Sequence, residues 1–432
     1  MSGLNVKQVT SIEFSNEAAP GQTKADENIP YYITLVKYDN LPNLLYIEAK
    51  SGDNILNVTR SEEDDIVESE LAAYKIMFST PIQDKKTQTI RVIEEYANRK
   101  IAFPKKMNIN DEPKVIIVDD AYFTSLYFTK KMKSTFEVGE SSTVLTATEV
   151  DSGEIRGRSV RYGTYKNIEP LSTYPIIIHM NYNDPLPIYT SVTRTATVSH
   201  WKRINIDEEY RLSNRISTLD GEFGRIDYNQ WKIRYAISEF ECYLPKSTED
   251  LYYTDEIGNV TSSRAFRNNK HTKFMLEPRF PLMGGWKTYW KQGYTLPLWD
   301  HVTSLKETDM YQFEIDLSHP YDNIVAEDFT FTIVLPEGAV PVNLDLPFEM
   351  DSMNKETVYE YLDLKGRTAI VMKKKMILKK YHNLKVSVTY KLSTLDIYFK
   401  PALVCFYTFI VVFFLLVSFR LSSSPNSKVK SQ

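Results

Sequence analysis

The chain has 432 residues, enough for two or three domains, and its 42% hydrophobic and 25% charged residues are those of an ordinary folded protein. Its 52 basic and 56 acidic side chains leave a net charge of -4, so no strong field marks it for nucleic acid. The anomaly is aromatic: 29 Tyr and 21 Phe against 15 Gly favour strands, because rings fit a pleated, half-buried surface.

In chain order, the opening KQVTSIEFSNEAAPG reads as a strand and turn from inside a sheet. It contains no apolar run of signal-peptide type, so the chain is read as lacking a first strand and a leader. Strands are then predicted at residues 31–36, 44–49, 75–78, 89–96, 115–118, 142–150, 175–180 and 190–201. Later candidates are 313–317, 329–335, 342–346 and 384–392. The last of these puts Leu384, Val386, Val388, Tyr390 and Leu392 on one face, with lysines, Ser and Thr opposite. No long amphipathic helix is predicted before residue 400, which argues for β-sandwich architecture. The fold class is therefore mainly β, with two β-sandwich-like domains and one C-terminal transmembrane helix. A proline cluster places the division near residue 190, giving a first β-rich domain at 1–190 and a second at 191–398.

Residues 402–419, ALVCFYTFIVVFFLLVSF, carry no charge over eighteen positions, enough to span about 27 Å as a helix. A membrane helix is predicted at 401–419, followed by a short cytosolic tail at 420–432. The missing leader favours a cytosolic bulk, but two other features favour the lumen. Asn57 and Asn259 head Asn-x-Thr glycosylation acceptors, and Lys428 and Lys430 near the C-terminus match a retrieval signal to the endoplasmic reticulum. The plainer reading of those lysines is a solvated basic tail.

Catalytic signatures are absent: no GxGxxG, P-loop, GxSxG or HExxH occurs. The six histidines are scattered, and the two cysteines, Cys242 and Cys405, cannot pair because Cys405 lies inside the apolar run. No cofactor, metal ligand or catalytic residue is expected. Acidic runs at 62–65 and 207–209 are read as solvated loop charges, and Glu314 and Asp316 as the polar face of a strand. The most unusual stretch is RFPLMGGWKTYWKQGYTLPLW, residues 279–299, with three of the five tryptophans. Trp286, Tyr289, Trp290 and Tyr294 could stack on a sugar. The rival, structural reading makes Gly284 and Gly285 a tight turn and buries the rings of Trp286, Trp290 and Tyr294 as core or interface.

That stretch resembles the most characteristic segment of the ribophorin I family. Other blocks follow the family's order: TVSHWKRINIDEEYRL at 197–212, GEFGRIDY at 221–228, LYYTDEIGNVTSS at 251–263, IVLPEGA at 333–339 and YEYLDLKGRTAIVMKKK at 359–375. The similarity is strong from about residue 190 onward and weaker before it, where DDAYFTSLYFTKK at 119–131 is the best match. The resemblance implies a single-pass protein of the endoplasmic reticulum with a lumenal β-rich bulk, working as a non-catalytic subunit of the oligosaccharyltransferase complex. Its implied partners are the multi-spanning catalytic subunit and other subunits, with nascent glycoproteins and the translocon as further contacts. Two departures stand out. The chain is read as lacking the family's cleaved leader and the cytosolic helical domain of larger animal relatives, so ribosome contact through such a domain is not expected. An alternative reading is a stand-alone glycan-binding or chaperone-like membrane module.

Overall fold

A computed structural model describes residues 4–17, 28–66, 69–149, 153–231, 233–305 and 309–422. The protein is mainly β, and its long helix, Thr394–Ser422, carries the apolar run at the C-terminal side of all the sheets. The expected strands are all present with ends shifted by a few residues, for example Asn28–Lys37, Thr87–Tyr96 and Lys385–Lys391. The opening stretch is a strand as well, Val6–Ser15, paired antiparallel with Thr87–Tyr96.

The first six long strands form one sheet that winds around a small core. Asn54–Arg60 divides between two partners, pairing with Leu44–Ser51 at its start and Leu71–Gln83 at its end, so the sheet folds over itself. Tyr32, Leu56, Ile76, Ile90 and Val92 fill the space inside. Next come a four-stranded and a three-stranded sheet built from residues 101–182. Their core, with Val115, Tyr162, Ile176 and Ile178, runs on without a break into Leu186, Ile216 and Met283 of the C-terminal part.

The C-terminal part is organised by a seven-stranded sheet. Its order is Glu249–Asp255, Lys287–Pro297, Arg203–Asn214, Pro187–Val198, Ala326–Val334, Arg367–Ile377 and Ser352–Val358. Pro187–Val198 and Ala326–Val334 are parallel, and the other neighbours are antiparallel. Residue 190, where the proline cluster suggested a division, lies within the strand Pro187–Val198. Sheets of three and four strands cover this one, and between them lies the largest core, with Val192, Ile206, Phe240, Phe313, Phe331 and Val388. Alternation explains the choice of face: Arg203–Asn214 buries every second residue from Ile204 to Tyr210.

The amino-terminal sheet docks on this mass through Leu45 and Ala97, which join the shared core, and through ring and polar contacts. Tyr46 stacks flat on Tyr381 with ring centroids 4.0 Å apart. The Tyr381 hydroxyl donates to Glu95, and Lys380 lies 3.4 Å from the same carboxylate. A second tie is the bidentate pair of Arg215 with Glu327, at 2.7 and 2.8 Å, which also takes in Asn98.

One group in the amino-terminal sheet works against the fold at neutral pH. Glu94 is buried; the Tyr96 hydroxyl donates to its Oε2 at 3.0 Å, while Oε1 meets no donor among the described residues. Burial pushes its carboxyl from 4.5 up to about 7. A raised carboxyl supports the fold fully below about pH 4.5, and this support is lost as pH rises through 7. Glu94→Gln is therefore expected to stabilise the protein by roughly 1–3 kcal/mol at pH 8 and by little at pH 5. Thermal melts of the full chain in detergent at both pH values check this; an equal shift at the two would refute it.

Candidate functional site

The tryptophan block begins with a turn. Trp286 N–H donates to Met283 O at 3.1 Å, and Gly285 holds φ +76, in the left-handed region. The turn lies against the segment 216–218 so closely that a Cβ on Gly284 would stand 2.0 Å from the Ser217 carbonyl oxygen. A Cβ on Gly285 would stand 2.4 Å from Thr218 Oγ1. Asn214, fully buried, locks the approach: its amide nitrogen donates to Tyr235 O at 2.8 Å and Leu282 O at 3.1 Å, and its oxygen accepts from Leu186 N–H at 3.0 Å.

Beyond the turn, Lys287–Pro297 sends alternate side chains to opposite faces. Trp290 and Tyr294 go into the core, 1% and 3% exposed. Trp290 lies between Tyr210 and Phe240, nearly parallel to both, with centroids 4.9 and 5.0 Å away. Tyr289 falls on the other face, where its hydroxyl bonds Glu209 at 3.1 Å. Trp286 is half-buried, edge-on to Phe223 and Phe280. Trp299 is 71% exposed. The rings of Trp286, Tyr289, Trp290 and Tyr294 thus do not share one surface, and a single sugar platform cannot be made from them.

Around Trp290 lies a buried polar network. Glu208, with no side-chain exposure, accepts from Tyr210 Oη at 2.8 Å and from Gln292 Nε2 at 2.7 Å. Arg194 Nε stands 3.4 Å from its other oxygen, and the same guanidinium donates to the Ser318 carbonyl. Gln292 accepts in turn from Trp290 Nε1 at 3.2 Å and Tyr321 Oη at 2.5 Å. His319 is buried beside them, and burial, then Lys379 and Arg194, bring its pKa down to about 3. Burial likewise pushes the Cys242 thiol up, leaving it protonated. The expected solvated loop at 207–209 is thus corrected: the three residues are strand, and Glu208 points inward. Asp207 and Glu209 face the other way, held by Tyr252 at 2.7 Å and Lys291 at 2.5 Å. The signal was present in the sequence, since Arg194, Glu208 and Gln292 each fall in phase with the apolar residues of their strands.

A third cluster sits where the sheets meet the membrane helix. Lys400 bonds Asp363, whose side chain is wholly buried, and lies 4.0 Å from Glu337. Arg367 reaches Asp363 at 3.1 Å and Glu360 at 2.8 Å. Burial would raise the Asp363 carboxyl, but Lys400 and Arg367 hold it below its ordinary value. Glu337 accepts from the backbone N–H groups of Leu364 and Lys365 at 2.7 and 2.6 Å, and Lys365 pairs with Asp396 at 2.7 Å.

Asn57 and Asn259 are both exposed, the first on a strand and the second beside a turn. Lys428 and Lys430 lie outside the described residues. Among the described residues, no three His, Cys, Asp or Glu side chains gather where they could hold a metal ion.

These features define a β-sheet protein with, among the described residues, one helix long and apolar enough to cross a membrane, and with Trp290 and Tyr294 of its aromatic block built into the core. The profile of the Ribophorin I family matches residues 2–419, and the chain belongs to that family. It is 32% identical to dolichyl-diphosphooligosaccharide–protein glycosyltransferase subunit 1 of Caenorhabditis elegans, over 83% of this chain and 62% of the relative. Subunit 1A of Arabidopsis thaliana is 27% identical over 89% of this chain and 63% of its own length. Subunit 1B of Oryza sativa subsp. japonica is 31% identical over 76% and 69%. The chain thus spans a little under two thirds of the length of the first two. Among solved structures, an M1 zinc metallopeptidase from Deinococcus radiodurans overlays 48% of this chain and 42% of its own. The TM-score is 0.28 and the identity 10%, too low to bear on fold or function.

The buried network yields a stability test. Glu208→Leu leaves Arg194 charged and unpaired, and is expected to cost about 3–5 kcal/mol. Adding Arg194→Met removes the stranded charge and is expected to restore at least half of that loss, read as thermal melts of the full chain in detergent. A single variant as stable as the parent would show that the network carries no such weight.

Proposed function

We propose that the chain serves as a non-catalytic subunit of the oligosaccharyltransferase complex in the endoplasmic-reticulum membrane, with its β-sheet bulk in the lumen. In this reading it supports assembly with the multi-spanning catalytic subunit and other subunits, and presents nascent glycoproteins emerging from the translocon. The observation that carries it is family membership along nearly the whole chain, with relatives named as subunit 1 of that glycosyltransferase. Several features of the molecule fit a supporting role. The aromatic block is engaged in packing, Glu208 is held by Arg194, Tyr210 and Gln292, and the start of the anchor is paired with the sheets through Lys400 and Asp363. The half-buried edge of Trp286, with Phe223 and Phe280 against it, is one part of the block open to a neighbour.

Tagged protein extracted from native membranes in mild detergent is expected to bring down a multi-spanning transferase subunit in stoichiometric amount, identified by mass spectrometry. Recovery of the chain alone, or with cytosolic proteins, would end this reading and favour the stand-alone glycan-binding module. Trp286→Ala is expected to lower the yield of complex severalfold while leaving turnover per assembled complex unchanged.

Orientation has its own test. With the bulk in the lumen, Asn57 and Asn259 are exposed to the glycosylation machinery. Endoglycosidase treatment is then expected to increase gel mobility, in steps removed by Asn57→Gln and Asn259→Gln. A cytosolic bulk predicts no shift in either variant or parent.

A further inference from the structure

The seven-stranded sheet has two unlike ends, and the membrane helix leaves from one of them. Pro187–Val198 runs to this end and turns through 199–202 into Arg203–Asn214. Ala326–Val334, parallel to Pro187–Val198, finishes there too, so Glu337 lies at the same end. Lys287–Pro297 finishes opposite Arg203, and Leu298 N–H bonds Lys202 O at 3.0 Å, which places Trp299 beside that turn. Ser352–Val358 and Arg367–Ile377 are antiparallel neighbours, so the loop 359–366 that joins them is at this end as well.

Two of these loops touch the first turns of the helix. Asp363 bonds Lys400, Lys365 pairs with Asp396 and lies over the Phe399 ring at 5.6 Å, and Trp201 meets Tyr398 edge-on at 6.2 Å. The apolar run starts at residue 402, two residues past Lys400. The rim is therefore level with the helix just before it enters hydrocarbon. From Asp396 to Lys400 the helix rises about 6 Å, and the headgroup layer of a bilayer is roughly 5–7 Å deep on each side.

The rim carries large apolar side chains that the fold does not cover. Tyr361 is 87% exposed, Trp299 71% and Trp201 53%, and Tyr359, Leu364 and Tyr398 are exposed beside them. Its charges are largely matched among themselves, through Lys400, Asp363, Arg367 and Glu360 and through Lys365 with Asp396. Trp and Tyr rings favour the headgroup level, where an apolar body and a polar tip are both accommodated.

We propose that this end of the C-terminal sheet is a bilayer-contacting surface, with Trp201, Trp299, Tyr361 and Leu364 seated in the lipid headgroup layer around the helix entry. The Lys400–Asp363 pair sets their depth, because it joins the 359–366 loop to the residue that precedes the apolar span. The sheets are thereby held upright on the membrane by a second attachment besides the helix itself. This inference rests on the fold and the anchor alone, and it stands whichever complex the chain enters.

The test uses the full chain in lipid nanodiscs, with lipids brominated at the headgroup end of the acyl chain as the quencher of tryptophan fluorescence. Brominated lipid is expected to dim the parent protein, and the Trp201→Phe/Trp299→Phe double variant is expected to lose most of that lipid-dependent quenching. The other tryptophans are common to both samples and cancel in the difference. Both positions are exposed, so the substitutions leave the core untouched. Equal lipid-dependent quenching in parent and double variant would overturn the proposal and assign the rim to water or to a protein neighbour.

Discussion

The carboxylate of Glu208 is the constraint around which the C-terminal sheet is arranged. An ion in a dry interior costs several kcal/mol unless its oxygens are met. Here the partners come from three adjacent strands: Tyr210 and Gln292 donate to one oxygen, and Arg194 stands 3.4 Å from the other, which accepts no hydrogen bond among the described residues. Such an arrangement allows only one register. A one-residue slip of any strand would send its polar group to the opposite face and strand the others. Trp290 and Tyr321 extend the network through Gln292, so the largest ring of the core is oriented by the same hydrogen bonds.

The same sheet is in contact with the first turns of the long C-terminal helix. The loop 359–366 and the turn 199–202, at one end of that sheet, touch residues 396–400, and the side chain of Asp363 is wholly buried there. The anchor is therefore continuous with the folded body, with no slack linker between them.

Much of the architecture was legible from alternation alone. The strands at 313–317, 329–335 and 384–392 stand out because one face is nearly all apolar. The strand Lys287–Pro297 is harder to read: Gln292 breaks the apolar face in the sequence, although it is buried in the fold. Residues 207–209 were misread for a related reason. Three consecutive acids look like solvent, and nothing local says that an arginine fourteen residues earlier and a glutamine in a distant strand will meet the middle one. Trp286, Trp290 and Trp299 look equivalent as a cluster, yet they end as half-buried, core and exposed.

By itself the sequence determined the β-rich class, the apolar span, the family and the positions of the two Asn-x-Thr triplets. These are properties of composition, period and motif, each carried within a short window. Only the tertiary structure decided which acid is buried, which tryptophans are core, and which loops surround the helix entry. Those outcomes depend on strand order, and strand order is set by pairings between residues more than a hundred positions apart, such as Tyr189 with Ala326. A local pattern says which face of a strand turns inward, but it does not say what waits on the other side.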